Sequence, residues 1–287
     1  MSAALFALLL LSSLAWSGLD AARKALGHDV PALPLVVALG LIQGLMLGAW
    51  VLATGVPALR PAFWAAAGGS IAINCVGNLL FVRALAVSPF SSTVPLLALV
   101  PVLSAGLNVF TLGEVPGARQ WAGIAAIVAG AVVLQLPRDG GLGGLVAALR
   151  REPGAPMMAV VAVCWTVVGP FDKTATLASS PAVAGAAINL GMGLALAPLL
   201  LRDRAGTRAL ARRPGLLLAA CALGVLAIAA QFEVLRQAMV GLVEAVKRMT
   251  GLLLAVVVGR LAFGEEVTGR QAGAIAVMLA GTALLLL

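Results

Sequence analysis

Apolar residues run through this chain in long uninterrupted stretches, without the period-two alternation of strands. A membrane-spanning helix needs about 20 mainly apolar residues. The runs between charged or Pro/Gly breaks predict ten such helices, near residues 2–19, 31–54, 63–82, 92–112, 119–136, 156–174, 181–201, 215–236, 240–262 and 269–287. The runs are too long for the strands of a membrane barrel. The first run is read as a helix rather than a signal peptide, because its basic residues Arg23 and Lys24 follow it and nine more runs come after. The pattern therefore predicts an all-α integral membrane protein.

The longest polar gap lies between Pro137 and Pro156, and it holds Arg138, Asp139, Arg150, Arg151, Glu152 and several glycines. It divides the chain into a five-helix unit over 1–137, a linker over 138–155 and a second five-helix unit over 156–287. The halves resemble each other. Residues 112–134 laid over 263–285 without gaps give nine identities, among them Gly113-Glu114 with Gly264-Glu265 and Arg119-Gln120 with Arg270-Gln271. Trp16 and Lys24 echo Trp165 and Lys173, and Asn78 and Arg83 echo Gln231 and Arg236. A unit with an odd number of spans returns its successor to the membrane with opposite polarity. The expected architecture is ten transmembrane helices as two inverted five-helix repeats, a hallmark of secondary carriers with a midplane substrate site.

Composition agrees with this solvent. Apolar residues make up 62% of the chain, charged residues 10%, and the mean hydropathy is +1.09, whereas a soluble chain carries about 25% charged residues. The formal net charge of +8 does not signal nucleic-acid binding, because the basic residues fall in short gaps rather than on one face. They collect in the odd-numbered connections (Arg23, Lys24, Arg138, Arg150, Arg151, Arg202, Arg204, Arg208, Arg212, Arg213, Arg270), while Arg60 and Arg119 lie in even ones. The positive-inside bias makes the odd connections cytoplasmic and places both termini outside. Cys75, Cys164 and Cys221 sit far apart inside apolar runs and read as packing residues. His28 is the one histidine, and no phosphate loop, HExxH, GxSxG or Cys/His metal set occurs. The sequence calls for no cofactor or metal, and transport powered by ATP on this chain alone is excluded.

Charged and amide side chains at membrane depth are costly, about 2.5–3.5 kcal/mol for Asp, Lys or Arg at the centre, and they pair or serve a path. Lys247 and Arg248 are the first candidates, as cavity residues for an anionic group; Glu233, near Gln231, or Asp172 is the candidate proton carrier. Glu233, Arg236, Glu244, Lys247 and Arg248 form the densest charged stretch, and intrahelical ion pairing at a hairpin tip is the competing reading. Trp165 and Asp172, two turns apart, and Lys173 could wall a substrate cavity or simply end the sixth span. Trp16, Asp20 and Lys24 form the equivalent set in the first span, where the charges could instead lie in water. Asn74 and Asn78 share one face of the third span, suited to a substrate or to helix cohesion. Gln43 beside Gly40, Gly44 and Gly48, and Asn189 in the seventh span, read as helix contacts. Glu114 with Arg119 and Glu265 with Arg270 read as hairpin salt bridges, and Pro89, Pro95 and Pro101 as bends of the fourth span.

The two-repeat pattern, with Leu112-Gly113-Glu114 and Phe263-Gly264-Glu265, resembles the EamA-like transporter family of the drug/metabolite transporter superfamily over essentially the whole chain. Phe171-Asp172-Lys173, Ser179-Ser180-Pro181 and Ala245-Val246-Lys247-Arg248 resemble an uncharacterised bacterial branch of it. The resemblance implies a central cavity lined mainly by the first, third, fourth, sixth, eighth and ninth spans, and movement of small metabolites. It also implies cytoplasmic termini, against the charge bias. The expected function is a secondary transporter for an amino-acid-like or amphipathic solute, with membrane lipid as surroundings and a proton as the candidate coupling ion. The alternative is a membrane-embedded enzyme or scramblase acting on a lipid-linked substrate.

Overall fold

Each of the ten apolar runs lies on a helix in the computed structural model, which describes residues 2–88, 94–136, 141–202, 204–263 and 268–286. The helices are α1 (Ala3–Leu26), α2 (Ala32–Thr54), α3 (Ala62–Val87), α4 (Val100–Thr111), α5 (Ala118–Gln135), α6 (Gly141–Arg151), α7 (Ala155–Leu177), α8 (Pro181–Leu196), α9 (Arg204–Ala209), α10 (Pro214–Leu235), α11 (Val240–Phe263) and α12 (Gly269–Leu286). No strand occurs among the described residues. Helices α1, α2, α3, α7, α10 and the run Pro181–Leu200 that begins with α8 are long and apolar enough to cross a membrane. The apolar stretches Leu96–Thr111, Ala118–Leu134 and Gly269–Leu285 are shorter.

Three expectations change. The polar gaps are not loops alone: α6 and α9 lie in them, so the helices outnumber the ten predicted spans. The fourth span is split, with a 3-10 segment Val94–Leu99 leading into α4 and Pro101 in that helix's first turn. A proline there costs no intrahelical bond within α4, because the first turn's N–H groups have no partner in any case. Pro89 lies outside the described residues. The third change matters most. α1 continues past residue 19 to Leu26, because Leu19, Ala22 and Leu26 keep one apolar face buried at helical spacing. Asp20, Arg23 and Lys24 therefore belong to the bundle.

The outer surface is apolar. Leu52, Trp64, Phe110, Val163, Leu194 and Leu218 are all more than half exposed, an arrangement that suits hydrocarbon and not water.

Connections sort into two layers. On one side Lys24 Nζ donates to the carbonyls of Leu85 and Ser88, Gly154 N donates to Ser88 Oγ at 2.9 Å, Arg213 pairs with Asp29 at 2.9 Å, and Arg270 Nη2 donates to Leu136 O at 2.5 Å. On the other, Arg60 N donates to Ala178 O at 2.9 Å, Lys173 pairs with Glu114 at 2.5 Å, and Val240 N donates to Glu114 Oε2 at 2.9 Å. The first layer holds only connections that follow odd-numbered apolar runs, the second only those that follow even ones. Successive runs thus travel up and down between the layers.

The two halves pack as a swapped pair. The main partners are α2 with α8, α4 with α11, α5 with α12, and then α1 with α10 and α3 with α7. Exchanging the halves leaves that pairing unchanged, which is the rule of a two-fold axis. Single residues obey it. In the overlay of 112–134 on 263–285, Gly123 corresponds to Ala274 and Gly130 to Gly281. A Cβ on Gly123 would lie 2.7 Å from Gly281 O, and one on Gly130 would lie 2.8 Å from Ala274 O. The two contacts are images of one another. Lys24 to Leu85 O and Lys173 to Ala238 O (2.7 Å) form a second such pair.

The repeated Arg-Gln step has a local cause. Gln120 Oε1 accepts from Gly117 N and Gln271 Oε1 from Thr268 N, each at 2.9 Å, so both glutamines satisfy an otherwise bare amide at a helix start. The predicted Glu114–Arg119 bridge does not form. Glu114 gives one oxygen to Lys173 and the other to Val240 N, joining the first half to the second; the tertiary partners are nearly buried and outcompete an exposed arginine five residues away. Glu265 lies outside the described residues. Glu114→Ala should lower stability by about 2 kcal/mol, the loss of a charged, half-dry hydrogen-bond pair, while Arg119→Ala leaves it unchanged; thermal unfolding in detergent reads both.

Candidate functional site

Helix spacing brings the chemistry together. On α1, Trp16, Asp20 and Arg23 sit at i, i+4 and i+7; on α3, Ser70, Asn74 and Asn78 repeat every fourth residue, with Phe81 three further on. Each set is one stripe of its helix. α7 adds Trp165 and Asp172, α11 adds Glu244, Lys247 and Arg248, and α10 adds Gln231. Pro170 within α7, two residues before Asp172, removes the amide donor that would reach the Thr166 carbonyl.

A hydrogen-bond ladder runs along α3. Arg23 Nη2 donates to Asn78 Oδ1 at 3.1 Å, Asn78 Nδ2 to Asn74 Oδ1 at 3.1 Å, and Asn74 Nδ2 to Ser70 Oγ at 3.1 Å. Ser70 Oγ in turn donates to Asp172 Oδ1. One continuous chain of side chains therefore links a guanidinium on α1 to a carboxylate on α7 through three residues of α3. Fully connected chains of this kind are rigid, because each member's bond orients the next.

Ion pairs form the second half of the site. Arg23 Nη1 meets Asp20 Oδ1 at 3.2 Å, Lys247 Nζ binds Glu244 Oε1, and Arg248 Nη2 reaches Glu244 Oε2 only at 3.5 Å. Lys247 Nζ also approaches Gln231 Oε1 at 3.4 Å. Side-chain exposures are 6% for Arg23, 8% for Glu244, 13% for Arg248 and 16% for Lys247, so these charges are largely withdrawn from solvent. Three cations (Arg23, Lys247, Arg248) face three carboxylates (Asp20, Asp172, Glu244). Among the described residues, Asp172 is the one of the three carboxylates without an ion pair; Ser70 is its side-chain partner.

Aromatic rings separate the cations. Arg23 lies 5.9 Å from the Trp16 ring and 5.8 Å from Phe81, Lys247 lies 5.6 Å from Trp16, and Arg248 lies 4.8 Å from Trp165. Phe81 and Trp165 touch, with centroids 4.8 Å apart. Ring faces attract cations most strongly where water is excluded. Among the described residues, three donors inside the cluster have no acceptor: Trp16 Nε1, Arg23 Nε and Arg248 Nε.

Among the residues singled out in the sequence, Lys247, Arg248, Trp165, Asp172, Asn74, Asn78, Gln231 and Trp16 lie in or against this cluster. Lys173 does not. It points to the end layer with Glu114 and Ala238 O. Glu233, half-buried, pairs with the exposed Arg236 at 3.3 Å at the end of α10, an intrahelical ion pair outside the cluster. The competing tip reading expects Glu244 in solvent, and it is 6% exposed instead. Arg23, Ser70 and Phe81 went unassigned. Ser70 stands one turn before Asn74, and Arg23 one heptad after Trp16, which is the signal that could have found them.

Gln43 lies against Gly224, where a Cβ would come within 2.1 Å of its amide nitrogen. Asn189 Nδ2 donates to Gly185 O at 2.9 Å within its own helix. Both are buried away from the charged stripe. Besides the cluster, an apolar groove of about 520 Å³ opens between α1, α11 and α12, lined by Phe6, Leu10, Met249, Leu253 and Thr282 among others.

A charged, aromatic-walled interior between two symmetry-related halves defines a class: the two-repeat, multi-pass helical membrane protein. The chain belongs to the EamA-like transporter family, which it matches over residues 3–136 and again over 152–287. The break between the two matches falls in the linker that carries α6. A solved crystal structure is similar along nearly its whole length, at 23% identity, covering 99% of this chain and 96% of that one with a TM-score of 0.75; it shares the fold. No curated protein matches the chain.

Proposed function

We propose that the protein is a secondary carrier of a small amino-acid-like or amphipathic solute, with the Trp16–Arg23–Asp172–Arg248 cluster as its binding site. The observation that carries this reading is the position of the cluster. It is built by α1 and α3 of one repeat and α7, α10 and α11 of the other, so both repeats contribute to it. Rocking one repeat against the other would open the cluster to each side in turn, with the ten apolar runs as ten crossings. The lysine contacts in the two end layers, Lys24 with the end of α3 and Lys173 with the end of α10, are the closures that must part.

The basic residues of α6, α9 and their flanks keep the odd connections in the cytoplasm even with Arg23 and Lys24 withdrawn from the count. Both termini are then outside, and an impermeant thiol reagent would reach Ser2→Cys on intact cells. Asp172 holds the coupling proton in this reading, since it is a buried carboxylate with no ion pair among the described residues and its side chain accepts from Ser70 Oγ. Asp172→Asn should abolish the response of uptake to a pH gradient; an unchanged response would contradict that assignment.

A screen of amino acids, nucleotides, sugars and drugs by thermal shift tests the site. A ligand should raise the melting temperature of the wild type and leave Lys247→Ala/Arg248→Ala unaffected. Equal stabilisation of both would move the binding site elsewhere.

A further inference from the structure

We infer that the donors Arg23 Nε, Arg248 Nε and Trp16 Nε1 form a carboxylate subsite, so that the solute carries one acid group, either as a free monocarboxylate or within a zwitterion. The inference deepens the carrier reading and rests on it for the word solute.

Three observations lead there. First, the three N–H groups are buried and, among the described residues, unpartnered, and an unpaired buried donor costs free energy that an arriving acceptor relieves. Second, both guanidiniums have their remaining bonds spread thinly. Arg23 uses Nη1 for Asp20 at 3.2 Å and Nη2 for Asn78 at 3.1 Å, and Arg248 reaches Glu244 only at 3.5 Å. The Nε edge of an arginine offers two parallel N–H groups that match the two oxygens of a carboxylate. At Arg248 the long contact to Glu244 leaves that fork open to a better acceptor. Third, the three side chains adjoin through the aromatic rings. Each guanidinium lies over one member of the touching Phe81–Trp165 pair, and Arg23 also lies over Trp16.

Charge selects among acceptors. With Asp172 ionised the cluster's three cations are matched by three carboxylates, and with Asp172 protonated one cation is unmatched, so in either state a dianion such as phosphate would leave uncompensated charge in a dry interior. A single acid group adds one negative charge, and a zwitterion adds none. The walls of Trp16, Phe81 and Trp165 suit an apolar body attached to that group.

Isothermal titration of the purified full chain in detergent tests this with benzoate and phenylalanine, and with phenethylamine, which lacks the carboxylate. Trp16→Phe removes one N–H and keeps a ring; Arg248→Lys removes Nε–H and keeps the charge. At least one of benzoate and phenylalanine should bind, phenethylamine should not, and each variant should weaken binding about tenfold, the worth of a hydrogen bond to a charged group. Benzoate alone would identify a free acid, phenylalanine alone a zwitterion. Binding of neither acid, equal binding of the amine, or wild-type affinity in both variants would overturn the subsite. Should Arg248→Lys melt early, Trp16→Phe decides. Failure of the carrier reading would look different: intact carboxylate binding with no uptake into proteoliposomes would end that reading and leave the subsite standing.

Discussion

Glu244→Ala is expected to cost the protein about 3–5 kcal/mol of stability, because it strands two cations in a dry interior. Glu244 is 6% exposed and is the partner of both Lys247 and Arg248. Removing one member of a buried charged network leaves its partners with their desolvation cost and without the attraction that offset it, which is why such losses reach about 3–5 kcal/mol. Surface pairs give about 1 kcal/mol or less, and Glu233→Ala supplies that comparison within the same protein, since its partner Arg236 is exposed. Thermal unfolding of both variants in detergent reads the difference. Glu244→Gln should fall between them, keeping the shape and one acceptor but losing the charge. If Glu244→Ala melts with the wild type, Lys247 and Arg248 are not held by it and the cluster described above is wrongly assembled.

The second large effect is steric. Gly44→Leu should prevent the close approach of α2 and α8, because even its Cβ would lie 2.6 Å from the Leu190 backbone nitrogen. Backbone cannot give way as a side-chain tip can, so the two helices must separate. Overpacking costs about 1–3 kcal/mol where side chains can shift, and more is expected at a backbone contact shared by the two halves. Gly40 and Gly193 meet at the same crossing, with a Cβ on Gly40 3.2 Å from Gly193 Cα. Gly48 belongs to the same sequence stripe but has open space around its Cβ position. Gly48→Leu should therefore be tolerated. Expression level and the proportion of monodisperse protein on size-exclusion chromatography would separate the two variants, and equal behaviour would mean that the contact of α2 with α8 does not set the bundle.

Those glycines also show how far the sequence could be read. The Gly40-Gly44-Gly48 stripe was visible as a helix contact, yet nothing in it says that the first two positions meet the other repeat and the third faces outward; that depends on where α8 crosses. The ten apolar runs were legible because burial in hydrocarbon demands length and composition, both of which are linear properties. Their ends were less so. Ending the first run at residue 19 treated Asp20, Arg23 and Lys24 as the start of water, whereas the charges are matched inside the bundle and α1 runs to Leu26. The same assumption underlies the competing reading of the α10–α11 hairpin, which expects Glu244 at a solvated tip.

Half of the site could be seen in one dimension and half could not. Lys247 with Arg248, Asn74 with Asn78, and Trp165 with Asp172 are neighbours on single helices, and helical periodicity reveals them. The ladder from Arg23 to Asp172 joins three helices, and its middle member, Ser70, is an unremarked serine until Asp172 is placed beside it. Glu114 marks the limit from the other direction. Its spacing to Arg119 fitted a local bridge, but Lys173 and Val240, distant in sequence, take both oxygens. The repeat was legible as repeated letters; its cause at Gln120 and Gln271, a bond to each helix's first amide, needed coordinates.

Solute counterflow in proteoliposomes tests the central claim most directly. Vesicles loaded with an unlabelled solute that binds the purified protein, then diluted into the labelled form, should accumulate label transiently above equilibrium. Only a site that opens alternately to the two sides produces that overshoot; a channel, a lipid scramblase or an enzyme does not. The account predicts an overshoot with the wild type and none with Lys247→Ala/Arg248→Ala. A bound solute that equilibrates without overshoot would contradict it.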